Sequence, residues 1–253
     1  MRDSEDQHQS KRGEAERDGK IWAIVPAAGV GRRMMADLPK QYLPLARRRV
    51  LDHALRALCR HDAVAGVVVG IRDGDRWWRA QPFAHDKLIA VSRGGDDRAR
   101  TVRNALAWIL EHGVAADDDW AMVHDAARPC LRAADIERVA AAARAHGDGA
   151  ALALALTDTL KRASGDGGDG VIEATLECDS CWRALTPQMF RCAPLHDALR
   201  DALQHGVAPR DESAAMERVG VRPALVEGHP ANIKITAPAD LELAALYLAG
   251  AVE

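Results

Sequence analysis

From Lys20 onward the chain alternates short, almost wholly apolar runs with segments whose apolar residues recur every three or four positions. No other feature of the sequence restricts the fold as far. Runs this short and this apolar are strands buried on both faces, which belong to a parallel sheet covered by helices. They are Ile21 to Val25, Ala65 to Ile71, Leu88 to Val91, Trp120 to Val123 and Ala150 to Leu156. Between them Val50, Leu51, Ala54, Leu55 and Leu58 fall on one helical stripe. A second stripe, Val102, Leu106, Ile109 and Leu110, follows aspartates able to cap a helix. Residues 133–145 are alanine-rich and helical, and helices are expected near 194–205, near 212–219 and from Pro238, the last with Leu241, Ala245 and Leu248 inward. Ala224 to Glu227 and Ala231 to Thr236 read as further strands. Right-handed crossovers make this an α/β, open, doubly wound, mostly parallel sheet.

Two segments break the alternation. Residues 157–162 and 171–175 flank a glycine-aspartate stretch and predict a protruding β-hairpin arm, spanning about 157–180. The first twenty residues carry eleven charges and only Met1 and Ala15 as apolar side chains, so residues 1–19 are expected to be a disordered, solvated tail. Residues 20–250 then form a single domain. A net charge of −3 argues against a broad nucleic-acid surface, and no apolar run reaches membrane-spanning length. Five cysteines, an odd number, and the absence of a hydrophobic leader predict a cytoplasmic protein without a disulfide framework.

In an open α/β sheet, ligands bind beyond the carboxyl ends of the strands. After the first strand comes Pro26-Ala27-Ala28-Gly29-Val30-Gly31-Arg32-Arg33-Met34. Its glycines let backbone N–H groups approach an anion, and its arginines add charge. It lacks the Gly-Lys-Ser/Thr of a Walker loop and the third glycine of a dinucleotide fingerprint; by itself it is equally an ordinary tight turn. Lys40 lies close enough in sequence to join Arg33 in clamping a triphosphate. After the fourth strand, Asp125 is placed to hold sugar hydroxyls or a metal, or else to pair with Arg128 and tie the loop. In Ile233-Lys234-Ile235 the isoleucines face one side, leaving Lys234 on the other in need of an anion. Cys178, Cys181, Cys192 and His196 have a spacing that zinc can use, although Cys192 is equally a core residue.

Seven motifs occur in order: Pro26 to Met34, Pro39-Lys40-Gln41-Tyr42-Leu43, Gly94-Gly95-Asp96-Asp97-Arg98, His124-Asp125-Ala126-Ala127-Arg128-Pro129-Cys130, Asp158-Thr159-Leu160-Lys161, Ala184-Leu185-Thr186-Pro187-Gln188, and Val226-Glu227-Gly228 with Asn232 to Thr236. Together, over about residues 21–250, they resemble the 2-C-methyl-D-erythritol 4-phosphate cytidylyltransferase family of isoprenoid precursor biosynthesis. The resemblance implies a Rossmann-like, nucleotidyltransferase-type fold and a homodimer joined by the arm. The reaction it implies joins CTP and methylerythritol phosphate to give CDP-methylerythritol and pyrophosphate, with Mg²⁺ held mainly by the CTP phosphates and no protein metal cluster.

Carried over position by position, Ala27, Ala28, Gly29 and Gly31 would cradle the triphosphate. Arg33, Lys40 and Lys234 would act in catalysis on developing phosphate charge. Gly95, Asp96, Thr101 and Ala126 would meet the cytidine; the family usually has serine where this chain has Thr101. Asp125 would hold the acceptor hydroxyls with Arg128 supporting the loop, and Thr186 and Lys234 would meet the acceptor phosphate, as would Thr159 from the partner's arm. One position departs. An arm arginine that reaches the acceptor phosphate in the family is replaced here by Cys178, a loss of about 1.5–3 kcal/mol for a charged hydrogen bond. Arg162 and Arg183 are the candidate replacements. Two other functions are open on these residues: a cytidylyltransferase for another polyol phosphate, such as ribitol 5-phosphate, and a non-catalytic nucleotide-binding regulator.

Overall fold

The computed structural model describes residues 19–29, 38–164 and 170–250. The charged tail through residue 18, Gly31 and Arg33 of the first loop, and the arm tip at 165–169 lie outside the described residues. In chain order the elements are β1 (Ile21–Pro26), a single 3₁₀ turn (Lys40–Tyr42), the short ribbon β2 (Pro44–Leu45) and β3 (Arg48–Arg49), α1 (Val50–Cys59), β4 (Val64–Ile71), α2 (Arg76–Ala80), β5 (Leu88–Arg93), α3 (Arg98–Glu111), β6 (Trp120–Val123), α4 (Ala133–His146) and β7 (Ala150–Ala155). The arm strands β8 (Leu160–Ala163) and β9 (Ile172–Leu176) follow, then β10 (Trp182–Arg191), α5 (Cys192–Gln204), α6 (Glu212–Arg218), β11 (Ala224–Glu227) and α7 (Pro238–Gly250).

Seven strands make the main sheet, in the order β11-β7-β10-β6-β1-β4-β5. β1 is an interior strand, parallel to β4 on one side and β6 on the other. Its side chains alternate between two cores. Ile21, Ala23 and Val25 meet α1 and α4, whereas Trp22 and Ile24 meet α3, α5 and α6. Both faces are therefore covered, which is why the run reads as continuously apolar. Leu51, Leu55 and Leu58 of α1 and Val102, Leu106 and Ile109 of α3 have no exposed surface, so the stripes pack as the spacing predicts.

β10 is antiparallel to both β6 and β7. The connection from β7 to β10 is the arm, with no helical crossover, and a chain returning without a crossover pairs antiparallel. Pairing of β10 with β7 slips between Ala184 and Gln188, where Pro187 lacks a ladder N–H. Two expectations change. Ala231 to Thr236 is not a strand: Ile233 N–H bonds back to Ala231 O, and among its N–H groups only that of Ile235 reaches the backbone of a neighbouring segment, at Ala127 O, 2.8 Å. Ile233 and Ile235 nevertheless pack together with α7, so Lys234 is turned away from that core. β5 is an edge strand with β4 as its one neighbour, and it leaves Ile89 and Val91 exposed rather than buried.

Candidate active site

A cleft of about 510 Å³ opens at the carboxyl ends of β1 and β6. Its floor is the segment Ala27–Gly29. Ala27 N–H donates to Gly70 O at 2.7 Å, tying this segment to β4. Gln41, buried in the 3₁₀ turn, donates its two amide hydrogens to Ala27 O and Gly29 O at 2.8 Å each. With those carbonyls held, the backbone approach to the cleft is fixed before any ligand arrives. Lys40, one residue earlier, lines the cleft and donates from Nζ to Ile235 O at 2.9 Å.

The second wall is the loop between β5 and α3. A Cβ on Gly94 would collide with Ala28 Cβ and the Ile71 carbonyl, and one on Gly95 with Arg100, so only glycine lets this loop lie against the first. Thr101 Oγ accepts from Gly95 N–H at 3.0 Å and donates to Asp97 O at 2.9 Å, while Asp97 caps α3 through Arg100 N–H. The hydroxyl thus braces Gly95 to Asp97. Its extra methyl faces Gly70, where a Cβ would stand 2.5 Å from Thr101 Cγ2.

Asp125 sits at the centre. Its carboxylate accepts from Arg98 Nε at 2.8 Å and Lys234 Nζ at 2.7 Å, with Arg128 Nε at 3.7 Å. Burial alone would raise its pKa; Arg98, Lys234 and Arg128 outweigh burial and hold it far below the ordinary carboxylate range. Arg98 also makes a two-pronged pair to Glu212, whose side chain has no exposed surface, at 2.7 and 3.0 Å. Next to Asp125, His124 is wholly buried, and burial pulls its pKa down to about 4. A neutral ring there donates from Nε2 to Arg128 O and accepts at Nδ1 from the Thr186 hydroxyl, each at 3.0 Å. Thr186 Oγ in turn accepts Asp125 N–H at 3.0 Å. Arg128 closes the ring by donating to Asn232 O at 2.8 Å, and Asn232 donates to Thr186 O at 2.8 Å.

Ala27, Ala28, Gly29, Lys40, Gly95, Asp96, Thr101, Asp125, Ala126 and Lys234 therefore share one cleft. Arg128 and Thr186 line a smaller cavity that shares Asp125 and Lys234 with it. Thr159 is exposed at the base of the arm and does not line the cleft of its own chain. Sequence reasoning gave no role to Gln41, Arg72 or Arg98, all of which line the cleft. Arg98 had a usable signal: a cation at the first position of a helix is opposed by the helix dipole, so its presence implies another task.

The zinc reading finds no assembled ligand set. Cys192 is a buried core residue on α5, and no group of three His, Cys, Asp or Glu side chains among the described residues is disposed to hold a metal ion. Asp96 is an exposed carboxylate in the cleft with no hydrogen-bond or ion-pair partner among the described residues. This donor set, one open carboxylate beside several cations, fits a hydrated magnesium ion carried on phosphate oxygens better than a caged one.

A helix-covered, mostly parallel sheet, with a glycine loop, convergent cations and one carboxylate at its strand ends, defines an α/β protein of the nucleotidyltransferase type. Comparison with known proteins makes the assignment specific. Residues 21–250 match the family model described as 2-C-methyl-D-erythritol 4-phosphate cytidylyltransferase. A protein of that name from Vibrio atlanticus is 46% identical over 228 residues, 90% of this chain and 95% of that one. The crystal structure of a 4-diphosphocytidyl-2C-methyl-D-erythritol synthase superposes with a TM-score of 0.76 at 37% identity, covering 91% of this chain and 99% of that one. A 2-C-methyl-D-erythritol 4-phosphate cytidylyltransferase from Francisella tularensis gives 0.75 at 32% identity, covering 90% and 100%. The chain belongs to the 2-C-methyl-D-erythritol 4-phosphate cytidylyltransferase family.

Proposed function

We propose that this protein transfers CMP from CTP to 2-C-methyl-D-erythritol 4-phosphate, releasing pyrophosphate and forming 4-diphosphocytidyl-2-C-methyl-D-erythritol for isoprenoid precursor synthesis. The observation that carries the reading is the cleft itself: backbone, cations and Asp125 converge at the strand ends of a chain matching this family over residues 21–250. The acceptor's phosphate oxygen attacks the α-phosphorus of CTP in line, and the P–O bond to pyrophosphate breaks. Such a step needs positioning and charge stabilisation rather than covalent help from the protein.

Ala27 to Gly31 cradle the triphosphate, with Gln41 holding the described part of that loop in shape. Lys40 and Arg33 stabilise charge growing on the α-phosphate and the leaving group. Gly95, Asp96, Thr101 and Ala126 bound the cytidine, with Thr101 acting through the loop it braces. Asp125 orients the acceptor hydroxyls, and Lys234, held by Asp125 until then, turns to the incoming phosphate. Arg128 and Thr186 keep the Asp125 loop in place. Mg²⁺ on the triphosphate would neutralise charge and favour departure of pyrophosphate, with Asp96 the open carboxylate of the cleft that could hold its waters.

The catalytic domain on this reading is residues 20–250, and it works as a homodimer. The arm supports that. A two-stranded ribbon is marginal by itself, and here Val171 and Ile172 are 70% and 66% exposed, with Leu176 also exposed. A partner covering them would bring Thr159 to the second site. All five cysteines are unpaired, as a reducing, cytoplasmic setting would leave them, and no described helix is long and apolar enough to cross a membrane.

The test is pyrophosphate release with CTP, Mg²⁺ and either methylerythritol 4-phosphate or ribitol 5-phosphate. Release with methylerythritol phosphate alone is expected. Release with ribitol phosphate alone would transfer the reading to another polyol phosphate. CTP binding without release from either acceptor would leave a non-catalytic nucleotide binder.

A further inference from the structure

Beside the main cleft lies a cavity of about 100 Å³ that shares Arg98, Asp125 and Lys234 with it and adds Arg128, Thr186 and Arg210. Three of its four cations are already engaged. Arg98 is spent on Asp125 and Glu212, Lys234 on Asp125, and Arg128 on the carbonyls of Asn232 and Ala184. Arg210 is exposed and has no hydrogen-bond or ion-pair partner among the described residues. Its neighbour Asp211 forms no ion pair with it, that carboxylate being turned to Ala214 N–H at 2.9 Å and the Gln188 amide at 3.1 Å. Gln188 also accepts from Ser213 N–H and Oγ at 2.9 Å each, so the segment carrying Arg210 is fixed to β10 and α6. A guanidinium with all its donors open, on a fixed segment, in a cavity continuous with the reaction cleft, is a ready anion receptor.

We propose that Arg210 binds the phosphate of the acceptor in its own chain's site, supplying from α6's leading loop the cation that Cys178 does not supply from the arm. The inference rests on the acceptor assignment made above. The other two candidates are less suited. Arg162 is paired along the arm with Glu173 at 3.5 Å, and Arg183, although close enough to lower the Arg128 pKa, lines neither cavity.

The experiment is steady-state kinetics of the full-length protein with CTP and methylerythritol 4-phosphate. Arg210→Ala should raise the acceptor's KM about 10- to 100-fold, the range for one lost charged hydrogen bond, while the CTP KM and the thermal midpoint stay put. Arg210→Lys should recover part of the loss. Cys178→Arg should change little in the unaltered protein yet restore acceptor KM in the Arg210→Ala background, a rescue that a merely structural role for Arg210 would not show. An unchanged acceptor KM in Arg210→Ala overturns the inference, as does a tenfold gain from Cys178→Arg alone. Failure of the unaltered protein to use this acceptor would instead overturn the acceptor assignment, and this inference with it.

Discussion

Arg98→Met should destabilise the protein strongly, and in a pH-dependent way. Arg98 is 23% exposed, its partner Glu212 is 0% exposed and Asp125 is 9% exposed. Methionine keeps the unbranched aliphatic stem but removes the guanidinium and with it both ion pairs. Asp125 still has Lys234 at 2.7 Å, whereas Glu212 loses its one ion-pair partner among the described residues. Stranding a buried charge in this way costs about 3–5 kcal/mol. For a chain of this size each kcal/mol moves the melting midpoint by about 2–4 °C, so a fall of about 6–20 °C is expected. Burial pushes the Glu212 carboxyl above its ordinary value even beside Arg98; without Arg98 it rises further. A carboxyl with a raised folded-state pKa stabilises in its protonated form, so the deficit should be larger at pH 8 than at pH 5. Adding Glu212→Gln removes the stranded charge and should recover most of the loss. Urea unfolding followed by tryptophan fluorescence reads all of this. A deficit below about 1 kcal/mol, or one equal at both pH values, would refute the reasoning.

Lys40→Ala should lower kcat about a hundredfold or more while raising the CTP KM only a few-fold, because its contact strengthens as charge develops; a change confined to KM would reduce Lys40 to a binding residue. Gly70→Ala should cost about 1–3 kcal/mol, because the added Cβ meets Thr101 Cγ2 at 2.5 Å and the Thr101 hydroxyl is pinned on both sides. Thr101→Ser in that background should recover most of it, and a failure to recover would place the strain elsewhere. His124 titrates near 4 when folded and at about 6.5 when unfolded, so the unfolded chain binds its proton first on acidification. Stability should fall by on the order of 3 kcal/mol from pH 6.5 to 4. In His124→Gln that slope should flatten; a slope unchanged by the substitution would show that another group supplies it.

The sequence by itself determined the layering. The interior apolar runs follow from their own residues, Ile21 to Val25 dictating a strand covered on both faces, whereas Leu88 to Val91 falls at the sheet edge and leaves Ile89 and Val91 exposed. The glycines of Gly94-Gly95 and the capping Asp97 are equally local, since a close approach and a helix start depend on a residue and its immediate neighbours. Motif order identified the family, and many of the residues named from it line one cleft. Tertiary structure decided what each polar group is engaged with. The Thr101 and Thr186 hydroxyls are spent on bracing loops, Lys234 and Arg98 on Asp125, and Arg210 is left open, through contacts spanning up to 114 residues of sequence. The antiparallel turn of β10 and the lack of a strand at Ala231 to Thr236 are of the same kind. The tendency of an apolar side chain to be buried is a property of that side chain, so periodicity shows it, although which strand ends at the sheet edge is set by the whole fold. A hydrogen bond belongs to two groups at once, and only the folded chain brings the second one within reach.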